Sequence, residues 1–202
     1  MAAPRVYLDV QSGNSAGAPG VNLRVAESHA AGRLASVLNA KVTQRGANLA
    51  SLSLLGPVLV VFIRHAGCTF CRQSLADIAE SRAAIEANGT RIVIVHMGSP
   101  APILALLSRH GLQDLDRIED PDRALYRAFG LRRGSLRQLF GMKVWIRGLR
   151  AGLLDGHGIG RPDGDVRQLP GVFLLDRCEI VRRFRPASAS DRLPVAEVAA
   201  AG

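Results

Sequence analysis

Val58-Leu59-Val60-Val61-Phe62-Ile63 is apolar throughout, β-branched or aromatic at most positions, with no polar residue alternating through it. That pattern predicts a strand buried on both faces of a sheet. The run stops at Arg64-His65-Ala66-Gly67 and is followed by Cys68-Thr69-Phe70-Cys71. Leu75, Ile78, Ala79 and Ile85 then recur near the helical period, and Asn88-Gly89 is a stop signal, which predicts a helix from Cys71 to Asn88. Cys68 therefore falls at or just before the first turn of that helix.

Further on, Arg91-Ile-Val-Ile-Val-His96 predicts a second buried strand and Pro102 to Arg109 a second helix. The segment from Asp120 to Gly130 reads as a turn leading into a third helix. Helices between strands imply parallel pairing. Val172 to Asp176 and Glu179 to Phe184 flank Arg177-Cys178 as the arms of a β-hairpin. Ahead of the first strand, Ala26 to Leu38 suggests a short helix, and the polar stretch from Val42 to Leu49 a loop or hairpin. Between Gly130 and the hairpin, Leu136 to Leu154 interleaves Leu139, Phe140, Met142, Val144, Trp145, Ile146 and Leu149 with basic residues, as a helix covering a sheet with one apolar face would. The expected organisation is an α/β domain over residues 41–188, a central mixed sheet flanked by helices with a helical insert before the terminal hairpin. A partly flexible N-terminal extension of 1–40 precedes it, and a C-terminal tail of 189–202 follows.

Composition narrows the function classes. A chain of 202 residues with 48% hydrophobic content can fill one core. No apolar run is long enough to span a membrane, and MAAPRVYLDVQSG lacks the apolar core of a signal peptide, so a cytoplasmic location is expected. A net charge of +9 invites a nucleic-acid reading, but lysine occurs only twice and the arginines are spread from Arg5 to Arg192 with no stacking motif, so no nucleic-acid partner is expected. Arg132, Arg133, Arg137, Lys143, Arg147 and Arg150 do cluster. A binding module that uses this 132–150 helix on a partner or an anionic membrane surface is the alternative reading, the membrane being the less favoured.

The chemistry lies with the cysteines. Only a thiolate attacks disulfides, and a free thiol with a pKa of about 8.5 is mostly protonated at neutral pH. Unpaired N–H groups and the helix dipole favour an anion at a helix's first turn, and Arg64, His65 and Arg72 are close in sequence. Cys68 is the better-placed nucleophile; Cys71, one turn further in, is expected to be more covered and to resolve a mixed disulfide on Cys68. Two other readings stay open: half of a structural zinc site, or two inert cysteines packed as small hydrophobes. Zinc needs four ligands, but Cys178 has no partner at two-residue spacing and the five histidines are scattered, so no metal is expected. His65 is a candidate acid or base, and His157 reads as a loop histidine without a phosphate-loop motif. Cys178, a strand length of roughly 17–20 Å from the pair, should take no part.

Three segments, FIRHAGCTFC (62–71), Asp120-Pro-Asp with LYRAFGL (125–131), and GDVRQLPGVFLLD (164–176), resemble the thioredoxin-fold, AhpC/TSA-type, peroxiredoxin-like proteins that include the selenoprotein-L-related redox proteins and the peroxiredoxin-like 2 group. The resemblance spans about Val42 to Pro186. It implies a thioredoxin-like fold and a thiol-disulfide oxidoreductase or thiol-based antioxidant with Cys68 and Cys71 as the redox pair. Arg64, His65, Thr69, Phe70 and Pro170 would form the surrounding shell, Pro170 as the cis-proline that faces the dithiol in such folds. No cofactor is implied beyond a thiol reductant of the thioredoxin or glutathione type, with a disulfide or peroxide as substrate. The chain departs from true peroxiredoxins, whose peroxidatic cysteine sits in P-x-x-x-[ST]-x-x-C: aligned on Cys68, Val61 and His65 replace the Pro and the Ser/Thr, and aligned on Cys71, Arg64 and Cys68 do. Fast peroxide reduction of the peroxiredoxin kind is not expected from this pattern.

Overall fold

The computed structural model describes residues 8–9, 23–134, 165, 167–187 and 191–200, with side chains from residue 32 onward. The basic insert from Leu136 to Leu154, His157 and most of the Gly/Ser-rich arm lie outside the described residues.

The elements run β1 (Leu8–Asp9), α1 (Leu23–Ala40), α2 (Leu49–Leu55), β2 (Val58–Phe62), α3 (Thr69–Ala87), β3 (Arg91–His96), α4 (Pro100–Arg109), β4 (Asp116–Glu119), α5 (Ala124–Ala128), β5 (Gly171–Asp176), β6 (Glu179–Phe184) and α6 (Val195–Ala199). They build one sheet in the order β1-β6-β5-β2-β3-β4. β2, β3 and β4 are parallel, while β5 runs antiparallel to both β2 and β6, so the sheet is mixed and thioredoxin-like as expected.

β2 is central and all five of its residues are buried. Its alternate side chains divide between two cores because successive Cβ atoms point to opposite faces. Leu59, Val61 and Ile63 join Leu75 and Ile78 of α3, Ile103 and Leu107 of α4, and Val195 and Val198 of α6. Val58, Val60 and Phe62 join Leu38 of α1, Leu49 and Leu52 of α2, and Leu125 and Tyr126 of α5. Each large side chain buried this way contributes roughly 1.5–3 kcal/mol, which explains why so uninterrupted an apolar run is held at the centre. On the second face Phe62 meets Tyr126, Phe129 and Phe173 with ring centroids 4.9, 5.0 and 5.5 Å away.

Four differences from the sequence reading have physical causes. β4 is written Asp116-Arg117-Ile118-Glu119, a charged edge strand whose Asp116 is held by Arg45 at 2.9 Å and Arg91 at 3.2 Å; charge is how an edge avoids unwanted pairing, and it erases the apolar signal. α2 begins at the far side of the Val42–Asn48 bridge, where Asn48 accepts a hydrogen bond from the Ser51 N–H at 2.8 Å as its cap. α4 starts at Pro100 rather than Pro102, since proline fits the first helical turn where its missing N–H has no partner to lose. The C-terminal segment contributes Leu193, Val195, Val198 and Ala199 to the same core as α3, because apolar residues at helical spacing dock on the sheet rather than trail in water.

Candidate active site

The site forms where β2 ends and α3 begins. Phe62 is the last paired residue of β2, opposite Val95 on β3 and Gly171 on β5. The chain then leaves the sheet through Ile63, Arg64, His65, Ala66 and Gly67. Cys68 is the N-cap of α3, with extended backbone (φ −84°, ψ 116°) and its Sγ accepting the Cys71 N–H at 3.3 Å. A sulfur thus stands where Ser, Thr, Asp or Asn ordinarily caps, facing the positive end of the longest described helix.

Arg64 is buried, and its Nη2 lies 2.7 Å from Cys68 Sγ. Its backbone N–H donates to Cys71 Sγ at 3.3 Å. The His65 carbonyl accepts from the Cys68 N–H at 3.1 Å, and Arg72 Nε donates to the Ala66 carbonyl at 3.2 Å, so the loop is braced at both ends. Cys68 and Cys71 are free thiols, 4% and 2% exposed. The expected difference in cover between them is therefore small: both belong to the core that α3 packs onto the sheet.

These contacts set the acidity of the pair. Burial pushes the Cys71 thiol up, but the bond from Cys68, the charge of Arg64 and the backbone N–H groups of Arg64 and His65 together bring it down to about 6. Cys68 goes the other way: burial, then the bond to Cys71 and the charge there, push it well above the ordinary thiol range against the pull of Arg64 and the Cys71 N–H. The two sulfurs titrate as one unit that gives up its first proton easily and its second with difficulty. One negative charge is shared between sulfurs that both face Arg64, so either can carry it.

The structure brings Arg64, His65, Cys68, Thr69, Phe70 and Cys71 together on one loop and helix start. His65 and Thr69 are buried and Phe70 half-buried. Pro170 precedes Gly171, which pairs with Phe62, so it lies at the dithiol end of β5. Its peptide bond is trans; there is no cis peptide among the described residues, which corrects the cis-proline expectation. Gln168 bridges Arg133 on the way into β5 and is pinned by its Nε2 on the Leu131 and Arg132 carbonyls at 3.3 and 3.2 Å. Cys178 sits at the other end of the β5–β6 hairpin, beyond Asp176, where its Sγ is 3.6 Å from Ser53 Oγ.

Sequence reasoning missed Tyr126. It is fully buried beneath the loop, and its hydroxyl donates to the Ile63 carbonyl and stands 3.2 Å from that of Val95. A polar tip on the apolar face of a five-residue helix was its only signal. Among the described residues no group of three or more His, Cys, Asp or Glu is arranged to hold a metal, and no helix is long and apolar enough to cross a membrane.

Residues 77–188 match the family model described as AhpC/TSA antioxidant enzyme, a span that begins just after the dithiol. A search of the curated proteins found no match to this sequence. Among solved structures, a mutant of Xanthomonas campestris peroxiredoxin Q is similar at a TM-score of 0.55 and 16% identity, over 77% of this chain and 86% of that one. A Xylella fastidiosa counterpart gives 0.53 and 14% identity over 76% and 82%, and a peroxiredoxin 6 mutant of Arenicola marina 0.56 and 10% over 80% and 67%. At these identities the likeness is one of fold.

Proposed function

This chain belongs to the AhpC/TSA antioxidant enzyme family, and within it we propose a thiol-disulfide oxidoreductase or slow thiol peroxidase that works through Cys68 and Cys71. The observation that carries this reading is Arg64 Nη2 at 2.7 Å from Cys68 Sγ, on a sulfur that also caps α3. A buried cation and a helix N-terminus stabilise a thiolate, and a second thiol lies one turn away to resolve what the first one forms.

With a disulfide substrate, Cys68 thiolate attacks one sulfur, the substrate S–S bond breaks, and one substrate thiolate leaves with two electrons. Cys71 then attacks Cys68 Sγ, releases the second substrate thiolate and leaves a Cys68–Cys71 disulfide. With a hydroperoxide, Cys68 takes the distal oxygen as a sulfenic acid while the alcohol departs, and Cys71 displaces water to reach the same disulfide. An external dithiol of the thioredoxin type, or glutathione, returns two electrons and two protons. His65 is the candidate to supply or take a proton, and Thr69, Phe70 and Pro170 the candidates to shape the surroundings of the pair. The departure from the P-x-x-x-[ST]-x-x-C pattern favours disulfides over fast peroxide turnover, and the FIRHAGCTFC segment favours the selenoprotein-L-related, peroxiredoxin-like 2 branch. Such a cycle suits a reducing compartment such as the cytoplasm.

The test is a redox titration of metal-free protein in glutathione or dithiothreitol buffers, with free thiols alkylated and mapped by mass spectrometry. A single two-electron transition joining Cys68 to Cys71, with Cys178 alkylated throughout, is expected. Two thiols that never pair would overturn the reading.

A further inference from the structure

The oxygen and the hydrogen of a single peptide group connect Tyr126 to the dithiol. The Ile63 carbonyl accepts from the Tyr126 hydroxyl, and the N–H of the same Ile63–Arg64 peptide donates to Cys71 Sγ at 3.3 Å. In a planar trans peptide these two groups point in opposite directions, so a donor that holds the oxygen on one side aims the N–H on the other. Ile63 lies one residue beyond the last pair of β2; its N–H still reaches the Val95 carbonyl at 2.9 Å, while its carbonyl is met by Tyr126. The peptide that faces the sulfur is thus held from the opposite face of the sheet. The tyrosine ring is in turn locked edge-on against Phe62, its centroid 4.9 Å away.

We propose that Tyr126 is a positioning residue for the dithiol: through the Ile63–Arg64 peptide it directs and strengthens the N–H that Arg64 donates to Cys71 Sγ. Donation to a carbonyl polarises the amide and makes its N–H a better donor, an effect that grows in a buried, low-dielectric setting. Burial, with the charges at Cys71 and Asp120, pushes the phenol well above its ordinary range, so the hydroxyl stays protonated throughout the range in which the thiols titrate. The other ionisable groups around this bridge are Arg64, His65 and Cys68 on the loop, His96 at the end of β3, and Asp120 before α5 with Lys41 at 3.2 Å. The hydroxyl bonds none of these groups itself; its partners are the Ile63 and Val95 carbonyls.

This inference rests on the redox reading of Cys68 and Cys71, but its readout is ionisation of the reduced thiols and needs no turnover. The pH profile of iodoacetamide alkylation is measured for wild type, Tyr126→Phe and Phe129→Leu, with circular dichroism and Tm recorded for each. Tyr126→Phe keeps the ring and is expected to raise the midpoint of the first ionisation by about half a unit, a roughly threefold fall in thiolate below the midpoint. Phe129→Leu loosens the same aromatic cluster without touching the hydroxyl, and its midpoint is expected to match wild type. A folded Tyr126→Phe with the wild-type midpoint, or a Phe129→Leu that moves it equally, overturns the proposal. The chain has only two tyrosines, so fluorotyrosine incorporated into a Tyr7→Phe background places a stronger donor at 126 alone. The midpoint should then fall, the opposite of what damage to packing would produce; no fall overturns the proposal even where Tyr126→Phe does not fold. Should the redox titration fail while these shifts occur, the oxidoreductase reading is lost and the peptide bridge stands.

Discussion

Two cysteine neighbourhoods lie at opposite ends of β5, and both place a sulfur at a turn beside hydrogen-bonding groups. Around Cys178 those groups are neutral: Ser53 Oγ at 3.6 Å and the Ala50 carbonyl at 3.8 Å. Around Cys68 they are a guanidinium at 2.7 Å and the Cys71 N–H in the first turn of a 19-residue helix. The turn at Cys178 is itself costly, with Arg177 and Cys178 both left-handed at φ 48° and 64°, and Ser53 holds it through the Arg177 N–H at 2.9 Å and the Cys178 N–H at 3.0 Å. One sulfur therefore sits among neutral groups in a hairpin turn. The other is a helix cap facing a buried charge. The difference teaches that thiol chemistry here follows from the charge that surrounds the sulfur more than from burial, since Cys68 and Cys71 are more buried than Cys178 and yet give up a proton between them more readily than an ordinary thiol does.

The comparison breaks first if the cysteines prove interchangeable. Cys68→Ser or Cys71→Ser should abolish the two-electron transition outright, while Cys178→Ser leaves it in place; intact-mass spectrometry of oxidised, alkylated protein reads the outcome. Arg64→Met comes next, since it removes the guanidinium at similar length and keeps the backbone N–H. An opposite charge close by lowers a pKa by roughly 1–3 units, so alkylation at neutral pH should slow about tenfold in this variant, and an unchanged rate would deny Arg64 its role.

Stability against pH gives a third, smaller effect with a defined sign. Cys71 falls from the ordinary thiol range to about 6 in the fold, so over that window the unfolded chain binds more protons. Stability of the reduced protein therefore rises as pH increases from about 6 towards the ordinary thiol value and is lost as pH falls through about 6. Cys68, pushed upward, acts oppositely and removes stability above the ordinary thiol value. Thermal melts of reduced wild type should show a Tm maximum between these limits, with the rise absent when Cys68→Ser and Cys71→Ser are combined. The smallest effect belongs to the hairpin: Ser53→Ala strands the Cys178 N–H and should cost about 1–3 kcal/mol in urea unfolding while leaving the alkylation profile of the dithiol unmoved.

How much of this was legible follows from which residues carry a local signal. Val58 to Ile63 and Arg91 to His96 announced their strands because central strands are apolar on both faces. β4 did not, because three of its four residues, Asp116, Arg117 and Glu119, are charged, as suits an edge strand, and leave only Ile118 as an apolar signal. The helix start at Cys68 was readable from the strand–loop–cysteine order and proved to be the cap itself. Pro170 adjoins Gly171, which pairs with Phe62, and its peptide bond is trans, because one dipeptide does not dictate its isomer.

The chain alone determined what depends on near neighbours: the central strands, the helix that follows the cysteines, the hairpin around Cys178, and the pairing of a thiol with a helix N-terminus and a nearby arginine. Only tertiary structure decided that Arg64 folds inward onto Cys68 rather than out into water, and that both sulfurs are enclosed. It also decided that Tyr126, more than fifty residues downstream, reaches through the sheet to the peptide that faces Cys71. Those outcomes hang on burial and on which elements pack together, and burial is a property of the whole assembled core that no local stretch of residues encodes.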